Sequence, residues 1–507
     1  MDINNKRIAK NTIFLYIRML FLIAIQLYTV PIVLKNLGVS DYGLYNVIGG
    51  VVAAFSFLGG ALASGTQRYL SFALGKNDDR LLSDTFQTTL TLYLAFGFVT
   101  LLLLEVVGLW FVSFKLNIPV GRFSAALCLF QFSTFTFILN LLSIPFNSVL
   151  IAHERMGVYA YVSVFEGIAK FIIAFSLPFW SLDKLVYYGG LLFVLSVVIQ
   201  LFYIFYCRKS FRESRHLHFC WNSKLGKKLL TYSGWNLVGV VSLLGRNQGL
   251  SIVMNLFFGT FLNAAHAIAN QINVVINQFI NNFYMATRPA ITKYCASGNI
   301  DEMWSLVFRS AKLAFFLLTV LCVPAFAEMN YILGMWLGKV PEYTVQIVIC
   351  LLSVSLIETL VNQIISAFQA ENRIKQYQKY SSTIVLFVVP VSYFVLKYIK
   401  SSPLLPYEIS IGLSILYDIV ILYIALKDIE LDSMAYCRKV ILPNIGVFVL
   451  VLLGTLEIQS LFEPSLFRLF LSCCCSLLLT GVCAWVLGLN RTEKQYMINI
   501  VKSKLKK

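Results

Sequence analysis

Charged residues are scarce in this chain: they make up 13% of its 507 residues, and acids are outnumbered 24 to 41 by Lys and Arg. No stretch is polar enough to form a soluble domain, which excludes a soluble globular enzyme. Histidine is limited to His153, His216, His218 and His266, with no pair at metal-binding spacing. There is no Walker sequence, no Gly-rich phosphate loop beside a Lys and no Gly-x-Ser-x-Gly, so neither ATP hydrolysis nor acyl transfer has a recognisable site, and no cofactor or metal is expected. The eleven cysteines sit mostly in apolar runs, and Cys473, Cys474 and Cys475 point in different directions around a helix; they read as buried apolar residues, not disulfides or metal ligands.

What the chain has instead is apolar length. Hydrophobic residues make up 58% of it and the mean hydropathy is +0.77. Runs of about 20 apolar residues, each sufficient to cross roughly 30 Å of hydrocarbon as a helix, recur from end to end. Fourteen spans are expected, near 13–34, 43–66, 84–111, 122–147, 157–178, 185–206, 230–256, 263–286, 304–327, 344–368, 381–397, 407–426, 440–457 and 465–488. The fold class is therefore an all-α polytopic membrane protein. The basic start MDINNKRIAKN leads into the first run without a small-residue cleavage site, so that run reads as an uncleaved span. With the N-terminus inside, cytoplasmic segments hold about 28 Lys and Arg and the opposite segments about seven, which puts both termini in the cytoplasm. The largest basic block, Arg208 to Lys228, suits anionic headgroups better than nucleic acid.

Internal repetition follows the spans. IVLKNLGVSDYGLYNVIGG from Ile32 lies over IVMNLFFGTFLNAAHAIAN from Ile252 at an offset near 221, placing Gly38 on Gly259. TQRYLSFALGKND from Thr66 then matches TRPAITKYCASGNID from Thr287, with a drift at Gly75 and Gly298. Six spans per half make the repeat parallel, about an axis along the membrane normal, with a central cavity between the halves. The expected organisation is an N-terminal six-helix bundle over 1–206, a basic connector over 207–229, a C-terminal six-helix bundle over 230–430, and two additional helices with a basic tail over 431–507.

Polar groups at membrane depth carry the functional signal, because a cation facing lipid at a helix centre costs at least about 2.5–3.5 kcal/mol. Three lie well inside spans. Arg18 is near the cytoplasmic end of the first and can also snorkel. Lys170 has Glu166 one turn earlier, which offers a local ion pair. Arg246 has no acid within a turn and is followed by Asn247 and Gln248. Seven of the thirteen residues from Asn270 to Asn282 are amides, all within about half of the helix circumference, while Ile272, Val275, Ile276 and Phe279 take the other half. Amides also glue helices together, but seven on one face exceed what one helix contact uses. A cavity lined by Arg18, Lys170, Arg246, Asn270, Asn273, Asn277 and Asn281 would offer amides to sugar hydroxyls and cations to phosphate. Glu358, mid-span and one turn before Asn362, is the candidate for ion coupling.

The segments NLGVSDYGLYNVIGG (Asn36 to Gly50), RYLSFALGKND (Arg68 to Asp78) and MWLGKVPEY (Met335 to Tyr343) resemble the polysaccharide and O-antigen flippases of the multidrug/oligosaccharidyl-lipid/polysaccharide exporter superfamily. The resemblance extends to about Leu426. It implies a bacterial inner-membrane flippase that moves an undecaprenyl-diphosphate-linked oligosaccharide outward by alternating access, as a monomer, with a polysaccharide polymerase as candidate partner and no nucleic acid. Arg18, Lys170 and Arg246 match no fixed family motif and rest on depth alone. Two rivals share the fold: a lipid II flippase and a multidrug exporter, the latter expected to carry a carboxylate in the first half where Arg18 stands. A membrane enzyme acting on lipid-linked glycans is the rival from another class, and the outer loop from Glu328 to Tyr343 has no histidine to serve it.

Overall fold

A computed structural model describes residues 2–53, 55–114, 116, 118, 121–179, 183–215, 221–399, 402–429, 431–489 and 493–495. His216 and His218, part of the basic connector and most of the basic tail lie outside them. Helices account for nearly all of the described residues, and no strand occurs among them. In chain order they are α1 Asp2–Ala53, α2 Ser56–Gly75, α3 Asp79–Phe114, α4 Phe123–Ala152, α5 Met156–Phe179, α6 Lys184–Ser210, α7 Ser223–Ala296, α8 Ile300–Leu337, α9 Thr344–Thr359, α10 Asn362–Ala370, α11 Ile374–Ile399, α12 Leu405–Asp428, α13 Ser433–Leu461 and α14 Leu466–Gly488.

Eleven of the described helical segments are long and apolar enough to cross a membrane, and the bent pair α9 and α10 makes twelve. The other two expected spans are also helical. They are the segments after Gly38 in α1, continuing into α2, and after Gly259 in α7. The latter carries the amides, which hold its hydropathy down.

The two longest helices, α1 and α7, are each two helices joined at a glycine kink. Gly38 (φ 80°, ψ 166°) and Gly259 (φ 77°, ψ −169°) interrupt α1 and α7 with a backbone conformation reserved for glycine. They are the pair that the repeat alignment superposes. Other left-handed positions keep the same register. Asn77 and Gly298 are 221 apart, Gly121 and Tyr343 222, and Glu154 and Asn372 218, each pair standing between corresponding helices. The repeat is thus written in the turns. Gly75 is not the turn residue; it packs, and a Cβ there would lie 2.7 Å from the Lys293 carbonyl oxygen.

The described chain divides into two compact units, Met1–Val240 with Met285–Gly298, and Val241–Tyr284 with Asn299–Lys507. The divide passes through α7. In the first unit, Phe86, Phe130 and Phe146 anchor the packing of α2 to α6. One end of this unit gathers around Glu154, whose carboxylate bonds Lys293 Nζ at 2.6 Å and Arg7 Nε at 3.2 Å. At the other end Arg122 bridges Asp41, just past the Gly38 kink, and Asp183, the N-cap of α6. The start of α1 and the α4–α5 turn therefore share one end, and the starts of α4 and α6 share the other, as alternating membrane crossings require.

The second unit is centred on α8, whose buried face packs on α7, α9 and α13. The expected appendage of two helices is built into it. Arg468 of α14 donates to Glu328 Oε2 at 2.7 and 3.1 Å, and Ser472 donates to Glu328 Oε1 at 3.1 Å, all buried. Lys312, only 1% exposed, donates to Gly488 O at 3.1 Å and to Glu493 at 2.6 Å. This corrects the reading that only three cations lie well inside spans: Lys312 and Arg468, within the expected spans 304–327 and 465–488, are buried there as well. Their partners lie far along the sequence, so these pairings have no local signal.

Candidate functional site

In the second unit the membrane-depth groups converge. Arg246 on α7 donates through a terminal guanidinium nitrogen to Glu358 Oε1 on α9 at 2.7 Å, with side chains 14% and 25% exposed. Gly245 and Gly249 flank Arg246, and a Cβ at either would lie 3.0 Å or less from Leu386 or Val389 of α11. That close approach fixes the rotation of α7 and so the direction in which Arg246 leaves it. Glu358 stands just before the break between α9 and α10, a bend of 43°. The break frees the Leu360 carbonyl, which accepts a hydrogen bond from the Tyr436 hydroxyl at 2.6 Å. Interrupted helices of this kind are where membrane transporters place ligands.

One turn before Glu358, Ser355 joins the amide segment. Asn277 Nδ2 donates to Ser355 Oγ and to Asn273 Oδ1, both at 2.8 Å, and Ser355 Oγ donates to Asn273 Oδ1 at 2.9 Å. Asn273 and Asn277 are thus tied to each other and to α9. Asn270 is half-buried, while Gln271, Gln278 and Asn281 are exposed. Ile272 and Ile276 pack against the α8 core, as their half of the helix should. Val275 departs from that half: it is exposed beside Gln271 and Gln278, because the buried stripe of this segment runs through Ala265, Ala269, Ile280 and Phe283. His266, 6% exposed, is hydrogen-bonded through Nδ1 to the Tyr407 hydroxyl at 2.8 Å.

Asp418 on α12 adds a second carboxylate. It is 7% exposed, its Oδ1 has no hydrogen-bond partner among the described residues, and it lies close enough to Glu358 for the two charges to interact. Asp418 lies 60 residues from Glu358 and 172 from Arg246, so no local pattern in the sequence joins it to them.

In the first unit, the Arg18 guanidinium lies over the Tyr159 ring at 4.6 Å, and its Nε is buried without a hydrogen-bond partner among the described residues. Lys170 pairs with Glu166 at 2.6 Å one turn away, both largely exposed at 48% and 36%. Of the two readings open for Lys170, the local pair is the one the side chain makes. Arg18 and Glu166 both act electrostatically on Tyr203, so the three share one neighbourhood. The structure therefore brings Arg246 to Glu358 and Asn273 to Asn277 in one unit, and Arg18 and Lys170 with Glu166 in the other.

No protein-family profile and no curated protein matches this chain. Solved structures do. An outward-facing multidrug resistance MATE family transporter of the MOP superfamily aligns with a TM-score of 0.68 at 14% identity, over 85% of this chain and 97% of that one. The chain has the MATE transporter fold. A MOP superfamily transporter from Pyrococcus furiosus, described as having a binding pocket of reverse polarity, aligns with a TM-score of 0.66 at 16% identity, over 84% and 96% of the two chains. The MATE transporter ClbM, solved in complex with Rb+, gives 0.67 at 13% identity, over 82% and 94%. Against this MATE fold, the three segments that suggested the flippase resemblance turn out to hold turns: Gly38 kinks α1, Asn77 and Asp78 end α2 and cap α3, and Gly338 and Tyr343 carry the chain from α8 to α9.

Proposed function

We propose that this protein is a membrane transporter that works by alternating access, and that its cargo is an undecaprenyl-diphosphate-linked oligosaccharide moved outward across a bacterial inner membrane for surface polysaccharide synthesis. The observation that carries the reading is the Arg246–Glu358 pair at the α9–α10 break. A guanidinium presents a planar fork matched to phosphate oxygens, and here one carboxylate occupies part of it. A diphosphate displaces Glu358 from the fork and departure of the cargo restores the pair; a cation held by the displaced carboxylate would couple an ion to the load. Exposed Gln271, Gln278 and Asn281 supply donors and acceptors for sugar hydroxyls on the neighbouring segment. Both termini lie in the cytoplasm on this reading, the protein acts as a monomer without cofactor or enzymatic step, and a polysaccharide polymerase takes over the delivered unit.

In a strain lacking the chromosomal copy, Arg246→Ala should abolish surface glycan display while the protein stays inserted and abundant, and Arg246→Lys should retain partial display. Unchanged display in the alanine variant rejects the anion-contact role. Asp418 favours a second reading, export of a cationic drug, because a buried carboxylate without a hydrogen bond on one oxygen suits a cation. Ethidium efflux that depends on Asp418 while glycan display does not would decide for it.

A further inference from the structure

A cavity of about 490 Å³ opens in the first unit between the first turns of α1 and the α4–α5 turn, on the terminal side of Arg18 and Tyr159. Its polar wall carries Arg7, Lys10, Asn11 and Arg155, and its apolar wall carries Phe14 and Tyr161. We propose that this cavity binds the phosphate of an anionic bilayer phospholipid, with the acyl chains running along the aromatic wall.

The charge balance points to an anion. The lone acid in the wall, Glu154, is already spent: Lys293 takes one carboxylate oxygen and Arg7 Nε the other. Arg7 also donates to the His153 carbonyl, and Asn11 Nδ2 to the Glu154 carbonyl at 3.1 Å, so these two brace the turn. Arg155 and Lys10 remain. Both are exposed and neither has an acidic partner among the described residues; Lys10 Nζ stands 5.7 Å from the Phe14 ring centroid. Glu154, at φ 58°, makes the tight turn from which Arg155 projects. Two uncompensated cations thus face a space large enough for a phosphodiester.

The apolar wall selects a lipid over a soluble phosphate. Phe14 and Tyr161 meet edge to face at 5.8 Å, and Tyr161 is 66% exposed on the outer surface of α5. The Phe14 ring lies over Gly157, in ordinary van der Waals range of where a Cβ would stand there. Cations at the helix ends with exposed aromatic rings one turn deeper reproduce the polarity step at a membrane surface, where each basic side chain strengthens attraction to anionic lipid about fivefold. The adjacent cavity of about 380 Å³ shares Arg7 and Arg155 with this one but adds two acids, Asp79 and Glu213, paired with Arg212 and His153, and lacks Lys10 and the Phe14–Tyr161 wall.

The full-length protein in detergent would be titrated with dioleoylphosphatidylglycerol, with dioleoylphosphatidylcholine, and with millimolar inorganic phosphate, reading bound lipid by native mass spectrometry and stability by thermal unfolding. Phosphatidylglycerol should bind at least tenfold tighter than phosphatidylcholine and raise Tm, and phosphate should not displace it. The double variant Lys10→Gln with Arg155→Gln should lose about tenfold or more of that preference, Tyr161→Ser about threefold, and Arg212→Gln none. Equal binding of the two lipids, full affinity in the double variant, or displacement by inorganic phosphate overturns the proposal; Tyr161→Ser, at an exposed site, keeps the test decisive if the double variant does not fold.

Discussion

The two units share a backbone plan and fasten it differently. In the first, the far end is held by charge, with Arg122 clamped between Asp41 and Asp183. In the second, the segment just past the equivalent kink is held by the buried His266–Tyr407 hydrogen bond. The intramembrane cations diverge in the same way: Lys170 pairs along its own helix, whereas Arg246 reaches across to α9. What persists between the units is the set of left-handed turns, which depend on backbone geometry alone. What changes is every side chain that can substitute one kind of attraction for another. The two units thus follow a common chain path and differ in how it is fastened: Arg246 pairs between helices with Glu358, whereas Lys170 pairs along its own helix with Glu166.

The largest expected effect tests the buried pair that ties α14 into the second unit. Arg468→Ala strands Glu328, which is completely buried, and should cost about 3–5 kcal/mol, read as loss of thermal stability and of expressed protein. A middling effect tests the shared plan. Gly38→Ala and Gly259→Ala meet no atom within 4 Å, so only backbone strain is introduced, about 1–3 kcal/mol at each. The two losses should be equal; a marked inequality would mean that the kinks are not equivalent. The smallest effect separates the fastenings. Burial alone would raise the Asp183 carboxyl pKa, but the hydrogen bond from Arg122 and those from two backbone amides outweigh it and hold it below the usual carboxylate range. A depressed carboxyl stabilises above its unfolded value, about pH 4, and loses that contribution as pH falls through the folded value. Hydrogen exchange at the start of α6 should therefore accelerate on acidification, and Asp183→Asn should remove that dependence.

Much of this was legible in the sequence because membrane depth is strict. Apolar length gave the spans, and the Gly38–Gly259 register gave the repeat before any coordinates. Arg246 stood out because nothing within one turn could neutralise it. The rest depended on distance along the chain. Glu358 lies 112 residues from Arg246, and Glu328 140 from Arg468, so no local pattern could pair them. Val275 shows a different limit: an amphipathic face can be drawn on a helical wheel, but its rotation is set by which neighbours the helix meets.

The Tyr436 hydroxyl that seals the Leu360 carbonyl has a practical consequence. Shortening the protein after α12 to obtain a minimal twelve-helix version would strip away that phenol, bare an acceptor in hydrocarbon beside Glu358, and leave Lys312 and Glu328 stranded. The last two helices complete the core of the second unit, and a trimmed chain should lose the surroundings of Glu358 before it loses its bulk.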